Sequence, residues 1–163
     1  LNIPNELIAQ FLKTTKALEH RLENFFLKKN TLFVNDSKGT NVESTVKAIE
    51  AFKNKVVLIA GGENKKICND ELIKKINERV GFVYLIGETG TILAEEMDKV
   101  GYKKYKNLGT LEKVLLDIRE NIDFEDGQTI LFSPATASFD QFKNFEERGR
   151  IFKELTNKIL GEK

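Results

Sequence analysis

From residue 22 onward the chain alternates short apolar runs with amphipathic stretches. Residues 22–27 and 31–34 are β-like runs separated by Lys28-Lys29-Asn30, which predicts a hairpin. Val42, Val46, Ile49 and Phe52 then recur at helical spacing. Val56-Val57-Leu58-Ile59-Ala60 is apolar throughout, the pattern of a strand covered on both faces of a parallel sheet. Leu72, Ile73, Ile76 and Val80 predict a second helix, with Asn69 or Asp70 as its N-cap. Phe82-Val83-Tyr84-Leu85-Ile86 predicts another buried strand, and Ile92, Leu93 and Met97 the face of the helix after it. A short strand is expected over residues 102–105. Thr110 caps a helix periodic on Leu111, Val114, Leu115, Ile118 and Ile122. Residues 129–132 read as the last strand. The chain closes in helix, on Phe139, Phe142 and Phe145 and then Ile151, Phe152, Leu155 and Ile159.

This alternation predicts an α/β, Rossmann-like domain: a mostly parallel sheet with helices on both faces and an antiparallel edge hairpin. At 163 residues the chain holds one well-packed domain. Pro4 and the polar residues before His20 mark the one boundary. Residues 1–19 read as a connecting helix on Leu7, Ile8, Phe11 and Leu12, with a polar hinge near residues 13–20, and residues 20–163 read as the domain proper.

Composition removes several function classes. A net charge of +1 gives no field directed at nucleic acid or an anionic membrane. No apolar run approaches the roughly 20 residues of a membrane span. One cysteine, Cys68, excludes an internal disulfide and a Cys-based zinc cluster, and a reducing cytoplasm is the expected compartment. The sole methionine is Met97 and the chain begins at Leu1, so it is read as a piece of a longer protein.

The candidate chemistry lies in the loops. Asn35-Asp36-Ser37-Lys38-Gly39-Thr40-Asn41 puts a carboxylate, a hydroxyl and an ammonium between a strand and a helix. Thr40 and Glu43 fit a capping box, and the helix N-terminus with Lys38 beside it attracts anions. Residues 61–66, 87–90 and 133–138 also follow apolar strands directly, and parallel strands bring such loops to one crevice. In them Gly61-Gly62 permits close backbone approach to a ligand, Lys65 can hold a carboxylate or phosphate, and Thr136 or Ser138 can donate to an anion. Each has a plainer reading: Lys65 solvated, Ser138 capping a helix, and Phe139, Phe142 and Phe145 in the core. Gly87-Glu88-Thr89-Gly90 lacks the Lys-Ser/Thr of a phosphate loop and reads as a turn. No Gly-x-Gly-x-x-Gly follows a strand, which argues against a dinucleotide dehydrogenase. His20 is the only histidine, which argues against a metal cage or His-based triad; beside Arg21 it could contact a nucleotide, and its plainer reading is a linker histidine. Cys68 reads as structural.

His20-Arg21, Asn35-Asp36-Ser37-Lys38-Gly39-Thr40-Asn41, Gly61-Gly62-Glu63-Asn64-Lys65 and the segment from Ser133-Pro134 to Arg148-Gly149 occur in the order and approximate spacing of one family. Over nearly its whole length the chain resembles the C-terminal domain of the D-glutamate-adding Mur ligases of peptidoglycan synthesis. The resemblance implies an ATP-dependent amide-bond ligase. In that family ATP phosphorylates the terminal carboxylate of UDP-N-acetylmuramoyl-L-alanine, and the amine of D-glutamate attacks the acyl phosphate. By motif match, Lys65, Thr40, Ser138 and Phe145 would surround D-glutamate with Lys38 nearby, and Arg21, Asp36 and His20 would meet ATP. No residue is assigned a catalytic or metal-ligating role.

Magnesium (Mg2+), the phosphate loop and the UDP site would belong to central and N-terminal domains of the same polypeptide, so this chain alone is expected to be inactive. A cytoplasmic, monomeric bacterial enzyme is implied. Gly39 stands where the family commonly has Ala, and Thr136 where Cys is common; both read as mild changes. The alternatives are a non-catalytic nucleotide- or amino-acid-binding module, a sister Mur ligase, and a ligase resembling folylpolyglutamate synthase.

Overall fold

The computed structural model describes residues 18–64 and 69–161. Strands β1 (Glu23–Lys28) and β2 (Thr31–Asn35) form the predicted antiparallel hairpin, registered from Glu23 opposite Asn35 to Lys28 opposite Thr31. There follow α1 (Val42–Glu50), β3 (Val56–Gly61), α2 (Asp70–Arg79), β4 (Val80–Ile86) and α3 (Thr89–Lys99). The chain continues through β5 (Tyr105–Gly109), α4 (Leu111–Asn121), a 3-10 turn at Phe124–Asp126, β6 (Thr129–Phe132) and α5 (Phe145–Leu160). The sheet order is β1-β2-β6-β3-β4-β5, parallel throughout except for β1.

Two apolar layers sandwich the sheet. Val56, Leu58 and Ala60 of β3 pack with Val46 and Ile49 of α1, Leu72 and Ile76 of α2, and Leu93 and Met97 of α3. Val57 and Ile59 turn to the other face, against Val114, Leu115 and Ile118 of α4 and Phe152 and Leu160 of α5. The period-2 pleat thus explains why every position of β3 is buried.

The crossovers explain where a crevice opens. From β2 to β5 the connecting helices α1, α2 and α3 stay on one face, whereas α4 returns the chain across the other face to β6. Adjacent strands β2 and β6 therefore send their exits to opposite faces, the switch point at which α/β sheets bind ligands.

Four expectations shift at the element ends. Helix α1 is capped by Asn41, not Thr40: Asn41 is extended and its side chain accepts from Ser44 N at 2.8 Å. Val80 opens β4 directly after α2 because it pairs with Val56 instead of continuing the helical face. The strand expected over 102–105 lies at β5, since Tyr102 is committed elsewhere: its N–H bonds Met97 O at 2.9 Å and its buried hydroxyl reaches Val80 O. The last helix begins at Phe145, not Phe139, because Gln141 and Phe142 N–H groups both turn back to Ser138 O before Asn144 caps α5. Phe139 is consequently 64% exposed, outside the core, while Phe142 packs partly against the second layer. The connecting helix expected over 1–19 lies outside the described residues except for its last two positions. Among the described residues no helix is long and apolar enough to cross a membrane.

Candidate functional site

The four strand-exit loops expected to share one edge are joined there by backbone bonds. Ala135 N donates to Gly39 O at 2.9 Å, tying the β6 exit to the β2 exit. Gly61 N to Pro134 O at 2.8 Å and Glu63 N to Ala137 O at 3.0 Å tie the β3 exit to the β6 exit. Thr89 closes the row, its N–H and hydroxyl both reaching Gly62 O. Gly61 and Gly62, with φ of 111° and 153°, are needed for this contact. A Cβ at Gly61 would stand 2.1 Å from Ile86 O, and one at Gly62 would stand 2.5 Å from Ala137 O. The close approach these glycines permit here is to the end of β4 and to the β6 exit.

A cavity of about 390 Å³ opens beside the β2 exit, with Arg21, Asp36, Lys38, Gly39, Ser44 and Lys47 on its walls. Asp36 is 5% exposed. Its Oδ2 accepts from Ser133 Oγ at 2.6 Å and its Oδ1 from Leu22 N at 3.2 Å. Ser133 in turn shares a bond with Thr45 Oγ1 at 2.9 Å. Burial pushes the Asp36 carboxyl above its ordinary range, and the Ser133 and Leu22 bonds and the Arg21 charge act against that. The cavity joins the buried Asp36 carboxylate and the exposed Glu43 carboxylate to three cations, Arg21, Lys38 and Lys47. That set suits a ligand carrying both hydroxyl donors and negative charge.

His20 stands behind the cavity. It is 2% exposed, in a left-handed conformation with φ of 64°, and so is Leu22 with φ of 44°. Its carbonyl accepts from Lys38 N at 3.0 Å, its N–H bonds Glu23 Oε2, and its Nδ1 lies 2.9 Å from Asn35 Nδ2. Asn35 Nδ2 also lies within hydrogen-bond distance of Glu23 Oε2 and Gly149 O, so its two protons face three acceptors. Among the described residues the buried Nε2 has no hydrogen-bond partner, and the Glu19 carboxylate lies 3.6 Å away. Burial lowers the His20 pKa, partly offset by Glu19 and Glu23. The ring packs on Gly149, where a Cβ would stand 2.3 Å from Nδ1, and edge-on to Phe145 at 6.4 Å.

The expected site residues divide accordingly. Arg21, Asp36 and Lys38 meet in one cavity. Phe145 joins them from α5, with Lys38 Nζ 6.0 Å from its ring centroid. Thr40 is half-buried in the same loop, and Ser138 is buried at the end of the β6 exit, where its carbonyl opens a turn. His20 supports the loop through backbone bonds and is not on the cavity wall. Lys65 and Cys68 lie outside the described residues. Among the described residues no group of three or more His, Cys, Asp or Glu is arranged to hold a metal ion.

Two residues of the motif segment, Ser133 and Arg148, make contacts to which the sequence reading gave no role. Ser133 takes its importance from a partner 97 residues away in the chain, so no local pattern marks it. Arg148 could have been found: it lies three residues after Phe145 and four before Phe152, on the buried face of α5. A charge on the apolar face of a helix is a signal in its own right.

The profile of the family described as "Mur ligase, glutamate ligase domain" matches residues 20–136. The chain is 44% identical over 163 residues to the UDP-N-acetylmuramoylalanine–D-glutamate ligase of Fusobacterium nucleatum, covering 99% of this chain and 38% of that protein. It is 38% identical to the protein of the same name from Caldicellulosiruptor bescii, over 97% of this chain and 34% of that protein. The chain thus spans little more than a third of these curated relatives. Among solved structures it resembles a bifunctional folylpolyglutamate synthase/dihydrofolate synthase from Yersinia pestis, with a TM-score of 0.64 at 15% identity over 95% of this chain and 35% of that one. It also resembles a murein peptide ligase from Psychrobacter arcticus, with a TM-score of 0.58 at 12% identity over 90% of this chain and 32% of that one. At such identities the structures show the fold alone, but the residues 20–136 match carries more: the chain belongs to the glutamate ligase domain family of the Mur ligases.

Proposed function

We propose that this crevice is half of the active site of an ATP-dependent ligase that adds D-glutamate to UDP-N-acetylmuramoylalanine in peptidoglycan synthesis. The observation that carries the reading is the joining of the β2 and β6 exits through Ala135 N and Gly39 O. It sets residues 35–41 beside residues 133–138 at the switch point of the sheet. D-Glutamate brings two carboxylates, which need cations and oriented donors. Lys65, Lys38, Thr40 and Ser138 supply them, and Phe145 walls off water.

Arg21 and Asp36 would hold the nucleotide: the buried carboxylate accepts ribose hydroxyls, and Arg21 faces phosphate. His20 fixes the Lys38 backbone behind them. ATP supplies the phosphoryl group that activates the acceptor carboxylate, and the D-glutamate amine then displaces phosphate. By the family resemblance, magnesium is assigned to the remainder of the protein. The remaining two thirds would also hold the UDP-sugar, and the whole enzyme is read as monomeric and cytoplasmic.

In the full-length protein, Lys65→Ala should lower kcat/KM for D-glutamate by about 10- to 100-fold, as loss of a charge-assisted bond of roughly 1.5–3 kcal/mol requires. The KM for ATP should stay within about threefold, since a different group holds it. An unchanged kcat/KM for D-glutamate would show Lys65 merely solvated.

A further inference from the structure

Arg148 is the largest of the fully buried side chains, with no exposed surface. Among the described residues it makes no ion pair, and its hydrogen bonds all go to neutral oxygens. Nε donates to Ser37 Oγ at 3.0 Å and Nη2 to Ser37 O at 2.8 Å. Nη1 donates to Thr136 O at 3.1 Å. The guanidinium also lies 5.9 Å from the Phe132 ring centroid, and burial pushes its pKa down to about 10.

The Asp140 carboxylate acts on the guanidinium through space without forming an ion pair; a buried charge so weakly compensated costs stability, and an apolar side chain of similar bulk fills such a site at lower cost. What the guanidinium alone provides is a rigid planar fork that reaches two chain segments at once. Here those segments are the β2 exit, through Ser37, and the β6 exit, through Thr136. Ser37 Oγ then passes the connection on to Phe145 O at 2.8 Å, in the first turn of α5.

We propose that Arg148 is a positioning residue that locks residues 35–41 and 133–138 into one rigid surface for a dicarboxylic amino acid. This rests on the ligase reading for its ligand. Lys38 and Thr40 follow the Ser37 anchor by one and three residues, and Ser138 lies two residues beyond the Thr136 anchor. The fork therefore fixes the separation between the groups that meet one carboxylate and those that meet the other. Binding geometry depends on Arg148 although it touches no ligand.

The test is Arg148→Lys in the full-length protein, which keeps a positive charge and loses the fork. Leu160→Ala, at the far end of the same helix, serves as a control for lost stability. With the clamp gone, amide hydrogen exchange in segments 35–41 and 133–138 should rise by about tenfold or more, and the D-glutamate KM should rise by a similar factor while kcat falls by less than about threefold. Leu160→Ala should lower the melting temperature and leave both quantities within about twofold. Equal behaviour of the two variants would overturn the proposal. Where Arg148→Lys does not fold, Ser37→Ala removes the Nε acceptor together with the bond to Phe145 O and leaves the two Nη bonds, and unchanged exchange in both segments would overturn it as well. Absence of D-glutamate-dependent turnover in the wild type would refute the ligase reading, while the exchange result would still decide whether Arg148 is a clamp.

Discussion

Asp36 Oδ2 accepts a 2.6 Å hydrogen bond from Ser133 Oγ, so a buried carboxylate on one strand exit is held by a hydroxyl on the next. That bond sits where the sheet switches faces, and it favours the charged form of Asp36. Burial raises the Asp36 pKa, and the Ser133 bond opposes the rise. Ser133→Ala should therefore move the acid limb of kcat/KM for ATP to higher pH. A group raised in the folded state contributes stability that is complete below its ordinary value, here 3.8, and lost as pH rises through the folded value. Asp36→Asn should accordingly unfold at an equal or higher temperature than wild type near neutrality, while its KM for ATP rises. A variant with wild-type KM for ATP would remove Asp36 from the nucleotide site.

His20 offers a direct titration, because it is the chain's only histidine. Burial favours its neutral form, so its pKa should lie below the ordinary 6.5 when followed by nitrogen NMR of the imidazole. With a depressed value the stability contributed by His20 is present above 6.5 and lost as pH falls through the folded pKa. His20→Ala should then flatten the acid side of the stability profile. A measured pKa at or above 6.5 would contradict the buried, Asn35-bonded ring.

The two departures from the resembled family's pattern carry opposite expectations. A Cβ on Gly39 would stand 2.6 Å from Asp36 Oδ2 and 2.7 Å from Ser133 Oγ, so the change is not mild in this loop. Gly39→Ala should cost about 1–3 kcal/mol through overpacking and raise the KM for ATP by disturbing the same bond. Thr136, by contrast, is 2% exposed, and its hydroxyl has no hydrogen-bond partner among the described residues. Thr136→Val should therefore stabilise by about 1 kcal/mol, or roughly 2–4 °C in melting temperature, with kinetics unchanged. Thermal unfolding of both variants checks the pair: a destabilised Thr136→Val would mean that the hydroxyl has a role in the folded chain.

The sheet and its layers were legible because burial leaves a periodic trace. The unbroken Val56-Val57-Leu58-Ile59-Ala60 run announces a strand with both faces covered, and it is one. Strand order left no such trace: β6 inserts between β2 and β3, a pairing between residues far apart in the chain. The motif loops could be named, yet what Gly61 and Gly62 approach depended on that insertion. The cap at Asn41 lay within one residue of its expected place at Thr40, since both side chains suit an N-cap and only local geometry chooses. Arg148 was readable as part of a motif but not as a buried clamp, because its partners Ser37 and Thr136 belong to different loops.

The central claim is that the crevice selects D-glutamate. The most direct measurement is phosphate release by the full-length protein given ATP, magnesium, UDP-N-acetylmuramoylalanine and one amino acid at a time: D-glutamate, L-glutamate, L-lysine or meso-diaminopimelate. Release above background with D-glutamate alone is the predicted result. Release supported by one of the other amino acids and not by D-glutamate would contradict the assignment.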